Sequence, residues 1–246
     1  MIVIPMLGNS SRFFKAGYDR PKYELELGRS TVLRYVIESF ENYLDSEKFT
    51  FAVRSDFNAR PFVTKTATAS GVKNFEIIEF SGPTNGQATS VAAAIERSKY
   101  DLSNEDLVVF NADSFIDSFS KPSLASGEAG CLDVFTGTGD HWSFVEPGPG
   151  FSVRRTAEKQ RISHLCSNGL YTFDSVSTFI EGYRSIVDAD DTVNGEFYVA
   201  PLYNHLIARG MKIKYRELEA DTTVLCGTPD EYEELKRKSW SGFAGR

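Results

Sequence analysis

No stretch of this chain approaches 18 consecutive apolar residues, so nothing in it is suited to crossing a bilayer as a helix. The amino terminus lacks a basic region followed by a long apolar core, and the expectation is a cytoplasmic protein without membrane insertion. Cysteine is scarce. Cys131, Cys166 and Cys226 lie far apart and form no CxxC pair, which excludes a disulfide scaffold and leaves reduced thiols as the default. His141, His164 and His205 show no HExxH spacing, and no GxSxG elbow is present, so zinc-peptidase and serine-hydrolase chemistry are set aside. Each histidine reads as a surface or hydrogen-bonded residue, and Trp142 with its aromatic neighbours reads as core. Positive charge is in the minority: a net charge of −7 leaves no broad footprint for nucleic acid. The Walker pattern and the three-glycine dinucleotide fingerprint are also missing, so two familiar phosphate loops are excluded.

What is present is a pattern of alternating strands and helices. The 246 residues, 41% of them hydrophobic, suffice for one large domain with a sizeable core. Apolar runs at 2–7, 49–53, 76–80 and 107–110 read as buried strands. Between them, 32–44, 57–70 and 88–98 carry apolar residues at helical spacing. Such alternation predicts βαβ units, and the fold class is α/β: a Rossmann-like mixed, mostly parallel sheet flanked by helices. Pro5 donates no hydrogen bond, so pairing there is expected to be one-sided or displaced. After residue 125 the rhythm changes. Aromatic or β-branched runs at 131–136, 142–146, 151–157 and 168–173 suggest strands that cover or extend the first sheet, followed by helices at 175–186 and 197–209, a strand at 212–218 and a helix at 229–239. Residues 241–246 are expected to form a flexible tail.

The first 22 residues organise the rest. A buried strand ends at Leu7 and Gly8, and the small polar residues Asn9, Ser10 and Ser11 leave loop N–H groups free to face an anion. Arg12, Lys15, Arg20 and Lys22 follow against a single acid, Asp19. That grouping suits a polyphosphate held at the carboxyl end of the first strand, where open α/β sheets bind ligands. A solvated basic loop is the alternative reading.

These residues carry a family resemblance. A strand, a Gly-led loop ending in Arg12, and Pro21-Lys22 some ten residues on are similar to the opening of the sugar-phosphate nucleotidyltransferase superfamily. SRFFKAGY followed by PKY most resembles its capsule and surface-polysaccharide members. Ser10 stands where a second glycine is usual. The resemblance implies a nucleoside triphosphate, CTP or dTTP by likeness, a phosphorylated small-molecule acceptor, and Mg²⁺. It also implies one domain in two lobes, 1–125 mainly for the nucleotide and 126–240 mainly for the acceptor.

Three later motifs fit that frame. In GPTNGQATS, Gly86 permits close backbone approach before a helix start, and the resemblance places Gly86, Gln87 and Ala88 along the base; an ordinary capped turn is the alternative. In VVFNADSFID, Asp113 emerges at a strand end, and hard carboxylate oxygens suit Mg²⁺. The family places its metal aspartate here, although a lone Asp in such a place is commonly a cap or turn former. Glu158 and Lys159 correspond to the family's acceptor pair, the carboxylate taking sugar hydroxyls and the ammonium the acceptor phosphate. Asn168 and Gly169 would border that pocket, with Glu196 and Tyr198 as further candidates. The resemblance thus makes Arg12, Lys22 and Asp113 the catalytic set. Leu225 departs from it, occupying the usual place of a second metal aspartate two residues before Gly227; Asp221 is the substitute candidate. Two other readings stay open. A glycosyltransferase of related fold would be expected to show a DxD motif, where this chain has Asp113-Ser114-Phe115. A non-catalytic nucleotide-binding homologue would not require Lys159. The sequence leaves the oligomeric state open, a homo-oligomer included.

Overall fold

The computed structural model describes residues 1–103, 105–219, 221–240 and 242–243. In its first half the chain forms β1 (Ile2–Pro5), α1 (Ser11–Lys15), a β2–β3 hairpin (Glu26–Leu27, Ser30–Thr31), α2 (Val32–Glu38), β4 (Lys48–Arg54), α3 (Ala59–Ala69), β5 (Asn74–Phe80), α4 (Gln87–Arg97), β6 (Leu107–Phe110) and β7 (Ser114–Ile116). The second half adds β8 (Glu128–Thr136), β9 (Ser143–Pro147), β10 (Val153–Glu158), β11 (Leu165–Phe173), α5 (Val176–Asp188), α6 (Val199–Ala208), β12 (Lys212–Glu217), β13 (Thr223–Leu225) and α7 (Pro229–Arg237). The helix expected over 32–44 ends early, and a short 3-10 turn, Glu41–Tyr43, takes up its last apolar residues. None of the helices among the described residues is long and apolar enough to cross a membrane.

Among the described residues, nine strands form one sheet. β5, β4, β1 and β6 lie side by side in parallel. β11 runs against β6, and β8 and β9 each run against β11, which returns them to the first direction. β12 is parallel to β8, and β10 opposes β9. The sheet is therefore mixed but mostly parallel, since only β10 and β11 point the other way. Along β11, β8 follows one edge, while the other edge is shared: β6 pairs with residues 170–173 and β9 with Cys166. The sheet opens between those two partners.

Alternation along the strands gives it two apolar faces. Met1, Val3, Leu107 and Val109 pack with α4, α5 and α6, whereas Ile2, Ile4, Val108 and Phe110 pack with α2, α3 and α7. Pro5 behaves as its missing N–H requires. It pairs with Ala52 of β4, while the register with β6 stops at Val3. Beyond Val3 the ends of β1 and β6 part company, and a cleft begins there. Of the tail, residues 241 and 244–246 lie outside the described residues, whereas Phe243 packs edge-on against Trp240 at 5.7 Å between ring centroids.

Candidate active site

The cleft, about 530 Å³, sits at the carboxyl ends of β1 and β6. From β1 the chain steps outward to β4 and β5, then returns to β6 on the opposite side of β1. That reversal is the switch point at which open α/β sheets accept ligands.

One wall comes from the phosphate-type loop. Leu7, Gly8, Asn9, Ser10 and Arg12 line it. Ser10 adopts φ 48°, ψ 24°, the left-handed conformation usually left to glycine, which explains how serine occupies the second-glycine position. Its hydroxyl accepts the Lys22 N–H at 3.3 Å, tying the loop to the Pro21-Lys22 segment. Asn9 is pinned from behind, its side-chain oxygen accepting from the Arg54 guanidinium at 2.5 Å. Among the described residues the amides of Gly8, Asn9 and Ser10 make no hydrogen bond within the protein, and a Cβ at Gly8 would meet open space. Polar N–H groups facing an open cleft are the expected cradle for an anion. Ser11 is different: it starts α1 and does not line the cleft.

The base-type motif is bound into the chain more tightly than its sequence suggested. Gly86 has φ 106°, and a Cβ there would lie 2.6 Å from the Phe197 nitrogen, so its close approach is to the chain's own backbone. Phe197 donates to the Asn85 carbonyl at 2.8 Å, and the Ala88 N–H donates to the Phe197 carbonyl at 3.0 Å. Ala88 is fully buried with its amide spent, which removes it from the set of residues available to a base. Gln87 does face the cleft, and its side-chain amide donates to Asn111.

Asn111, Ala112 and Asp113 form the floor. The Asp113 carbonyl accepts the Cys226 N–H at 2.8 Å, and a Cβ on Gly227 would come within 2.9 Å of the Asp113 carboxylate. Gly227 therefore lets the 226–228 turn lie against Asp113. The carboxylate is paired with the Lys22 ammonium, both only partly exposed. Leu225, Gly227, Thr228 and Glu231 close this side. Asp221 does not join them. Leu225 is opposite Ser114 and Thr223 opposite Ile116, so the hairpin register carries Asp221 beyond Thr223, away from the cleft and into solvent. The structure does not bring the substitute ligand expected there to the cleft. Glu231 lies nearer, but its Oε2 accepts the N–H groups of Gly227 and Thr228, each at 2.9 Å, in the capping box that starts α7. Among the described residues no three metal-ligating side chains converge.

The opposite wall gathers the second set. Lys159 has φ 54°, and its ammonium donates to the Tyr198 hydroxyl, which in turn donates to Glu196. The same ammonium lies 4.3 Å from the Tyr198 ring centroid. Glu158, 9% exposed, accepts the Ser143 hydroxyl, which lies 3.3 Å from the Tyr171 hydroxyl. Burial holds the Glu158 carboxyl above the usual glutamate range, against the lowering effects of Ser143 and Lys159. Asn168 is buried, its Oδ1 accepting the Leu170 N–H at 3.1 Å. Gly169 has φ 86°, and a Cβ there would lie 3.0 Å from the Asn111 Cβ. The Asn111 N–H donates to the Gly169 carbonyl at 3.1 Å, so Gln87, Asn111 and Gly169 link the two walls.

Several cleft residues were not anticipated. Trp142, expected in the core, is half-buried and lines the cleft beside His141, with ring centroids 4.1 Å apart. Arg161 holds that loop by donating to the carbonyls of Gly137 and Gly139. The Gly-rich, polar run 137–141 was the available sign that Trp142 leaves the core. For Glu231 it was the Thr-x-x-Glu capping pattern, and for Asn111 its place beside Asp113. Ser143 and Tyr171 carried no such sign.

An open α/β sheet with unbonded loop amides and cationic side chains at its switch point, faced by a second polar wall, is the architecture of a protein that binds a phosphorylated nucleotide beside another ligand. The chain belongs to the sugar-phosphate nucleotidyltransferase superfamily. It is 42% identical to the nucleoside-diphosphate-sugar pyrophosphorylase from Vibrio cholerae RC9, with a TM-score of 0.90 over 96% of this chain and 100% of that one. The inositol-1-phosphate CTP transferase from T. maritima shares the fold at 16% identity, TM-score 0.72, covering 99% of this chain and 97% of its own. A UDP-glucose pyrophosphorylase does so at 14% identity, TM-score 0.73, covering 97% of each chain. No family model matches the sequence, and no curated protein matches it.

Proposed function

We propose that this protein is a Mg²⁺-dependent nucleotidylyltransferase that joins a nucleoside triphosphate to a sugar phosphate or related small phosphate and releases pyrophosphate. One observation supports the reading: Arg12, Lys22 and Lys159 line one polar cleft. Three cationic side chains in one cleft suit two anions that must be brought together. CTP or dTTP is the donor we infer, from the likeness of SRFFKAGY and PKY to surface-polysaccharide members of the superfamily. The product would then supply capsule or other surface polysaccharide from the cytoplasm.

The acceptor phosphate is already an anionic nucleophile, so no general base is required. Its oxygen forms a bond to the α-phosphorus, and the bond from that phosphorus to the β-phosphate's bridging oxygen breaks. Catalysis then rests on alignment and charge neutralisation. Loop amides 8–10 and Arg12 hold the triphosphate, and Lys22 reaches toward the reacting phosphate. Lys159 holds the acceptor phosphate, while Glu158 and Glu196 take acceptor hydroxyls. Asp113 fits a Mg²⁺ site with one protein carboxylate, because its oxygens lie on the cleft floor among groups assigned to phosphate. When bound there, Mg²⁺ would supply charge neutralisation to the triphosphate.

The test is a thermal-shift panel of CTP, dTTP, UTP, ATP and GTP with Mg²⁺, followed by pyrophosphate release with candidate acceptors. Ligand at about 100 times its dissociation constant adds roughly 2.7 kcal/mol of stability. Stabilisation by one triphosphate that is lost in Arg12→Ala supports the reading. Response to a nucleotide sugar alone, without pyrophosphate release, favours the glycosyltransferase alternative.

A further inference from the structure

Asp113 is held on three sides. Its backbone carbonyl is bonded to Cys226, its carboxylate lies against Gly227, and the Lys22 ammonium sits on the same oxygen that faces that glycine. Lys22 differs from a fixed partner. Its backbone is anchored through Ser10, but an unbranched four-carbon stem lets the ammonium swing while the anchor stays. Few other carboxylates stand ready to share the load: residue 225 is leucine, Asp221 is turned out to solvent, and Glu231 is oriented by its Oε2, which accepts from two amides.

We propose that Lys22 is the resident counter-cation of Asp113 and bars a divalent cation from it until a polyanionic ligand draws the ammonium away. The inference rests on the transferase reading for the identity of that ligand. With the ammonium on Oδ2, a divalent cation on either oxygen of the same carboxylate would be repelled at a separation of about 4–5 Å, where Coulomb forces are strong in a partly buried site. A bare cation would therefore have to displace Lys22 or bear its repulsion, for a single carboxylate in return. A triphosphate alters both sides of that exchange, because it offers the ammonium a new anionic partner and the cation several oxygens. Lys22 thereby makes metal uptake at Asp113 depend on nucleotide.

The probe is Mn²⁺ alone, with free Mn²⁺ counted by electron paramagnetic resonance in the presence of the full-length protein. Wild type is expected to bind no more Mn²⁺ than Asp113→Asn. Lys22→Gln should bind at least tenfold more tightly than wild type, ~1.4 kcal/mol, and the gain should vanish in the Lys22→Gln/Asp113→Asn double variant. Lys22→Met, which also removes the charge, is the second variant, and thermal denaturation verifies folding of each. Mn²⁺ held by wild type through Asp113 without nucleotide would overturn the proposal, as would the absence of any gain in both Lys22 variants. A separate arm adds CTP, dTTP, UTP, ATP or GTP to wild type and to Asp113→Asn, and uptake is the loss of free Mn²⁺ beyond that in a protein-free sample with the same nucleotide. Nucleotide-dependent uptake supports the exchange; no uptake with any of them overturns the transferase reading, while the bare-metal comparison still decides the role of Lys22.

Discussion

Replacing Gly169 by alanine tests the join between the two walls of the cleft. At φ 86° an L-residue meets a left-handed backbone penalty of about 1–2 kcal/mol. The new methyl would also press on Asn111 Nδ2 and lie 2.5 Å from its Cγ, which requires movement, with its Cβ tight at 3.0 Å. Asn111 would have to swing, giving up the hydrogen bond it accepts from Gln87 at a cost of about 1 kcal/mol. The sum is about 2–3 kcal/mol, which for a chain of this size lowers Tm by roughly 4–12 °C. Chemical denaturation followed by fluorescence measures it. A cycle with Asn111→Ala separates the parts, because removing Cγ and Nδ2 relieves most of the clash but leaves the backbone penalty. The second substitution should therefore cost less in Gly169→Ala than in wild type, with a coupling of about 1–2 kcal/mol. If Gly169→Ala were within about 0.5 kcal/mol of wild type, or the two substitutions strictly additive, the account of the wall-to-wall link would be wrong.

Three further outcomes follow from the same geometry. Lys159→Ala should raise KM for the acceptor while leaving triphosphate affinity within a few-fold of wild type, as separate titrations of the two substrates would reveal. Glu158 retains its proton to a higher pH than a free glutamate, so kcat/KM for the acceptor should climb as pH rises through a raised value, and Glu158→Gln should flatten that limb. The linked stability term has a definite sign: it is full below the unfolded-state pKa and lost as pH rises through the folded one, so Glu158→Gln should also weaken the fall in Tm over that window. Asp133 is 1% exposed and held by two hydrogen bonds from the Arg216 guanidinium, at 3.0 and 2.6 Å. Arg216→Ala leaves that carboxylate buried and unpaired, and urea denaturation should show a loss of about 3–5 kcal/mol.

Much of the cleft was legible because its residues lie at strand ends. Gly8 follows the apolar run of β1 and Asp113 the run of β6, and period and punctuation alone locate such positions. The pairing of Pro5 was legible for the same local reason, a missing donor. Ala88 and Ser11 were misjudged because a residue adjacent to a site in sequence can have its amide spent elsewhere or point away, as Ala88 does by bonding Phe197. Asp221 failed for a matter of register: four residues along a hairpin is enough to leave the cleft. Trp142 looked like core because a buried and a cleft-lining aromatic are alike in composition; Arg161, 19 positions away in sequence, holds its loop out.

By itself the sequence determined the α/β class, the order of the longer strands and helices, and the chemistry available at each strand end, since these follow from local periodicity, backbone preference and side-chain type; α1 and the short strands β2, β3, β7 and β13 were not read from it. Only the tertiary structure decided which of those ends share one cleft. The fork at β11, where β6 and β9 meet the same edge, brings Glu158 and Lys159 to face Arg12 across nearly 150 positions of chain. The turn at Gly227 folds back onto Asp113, and Lys22 closes on the same carboxylate. Contacts of that span depend on sheet register and on how helices seat against two apolar faces, and both are properties of the packed chain as a whole.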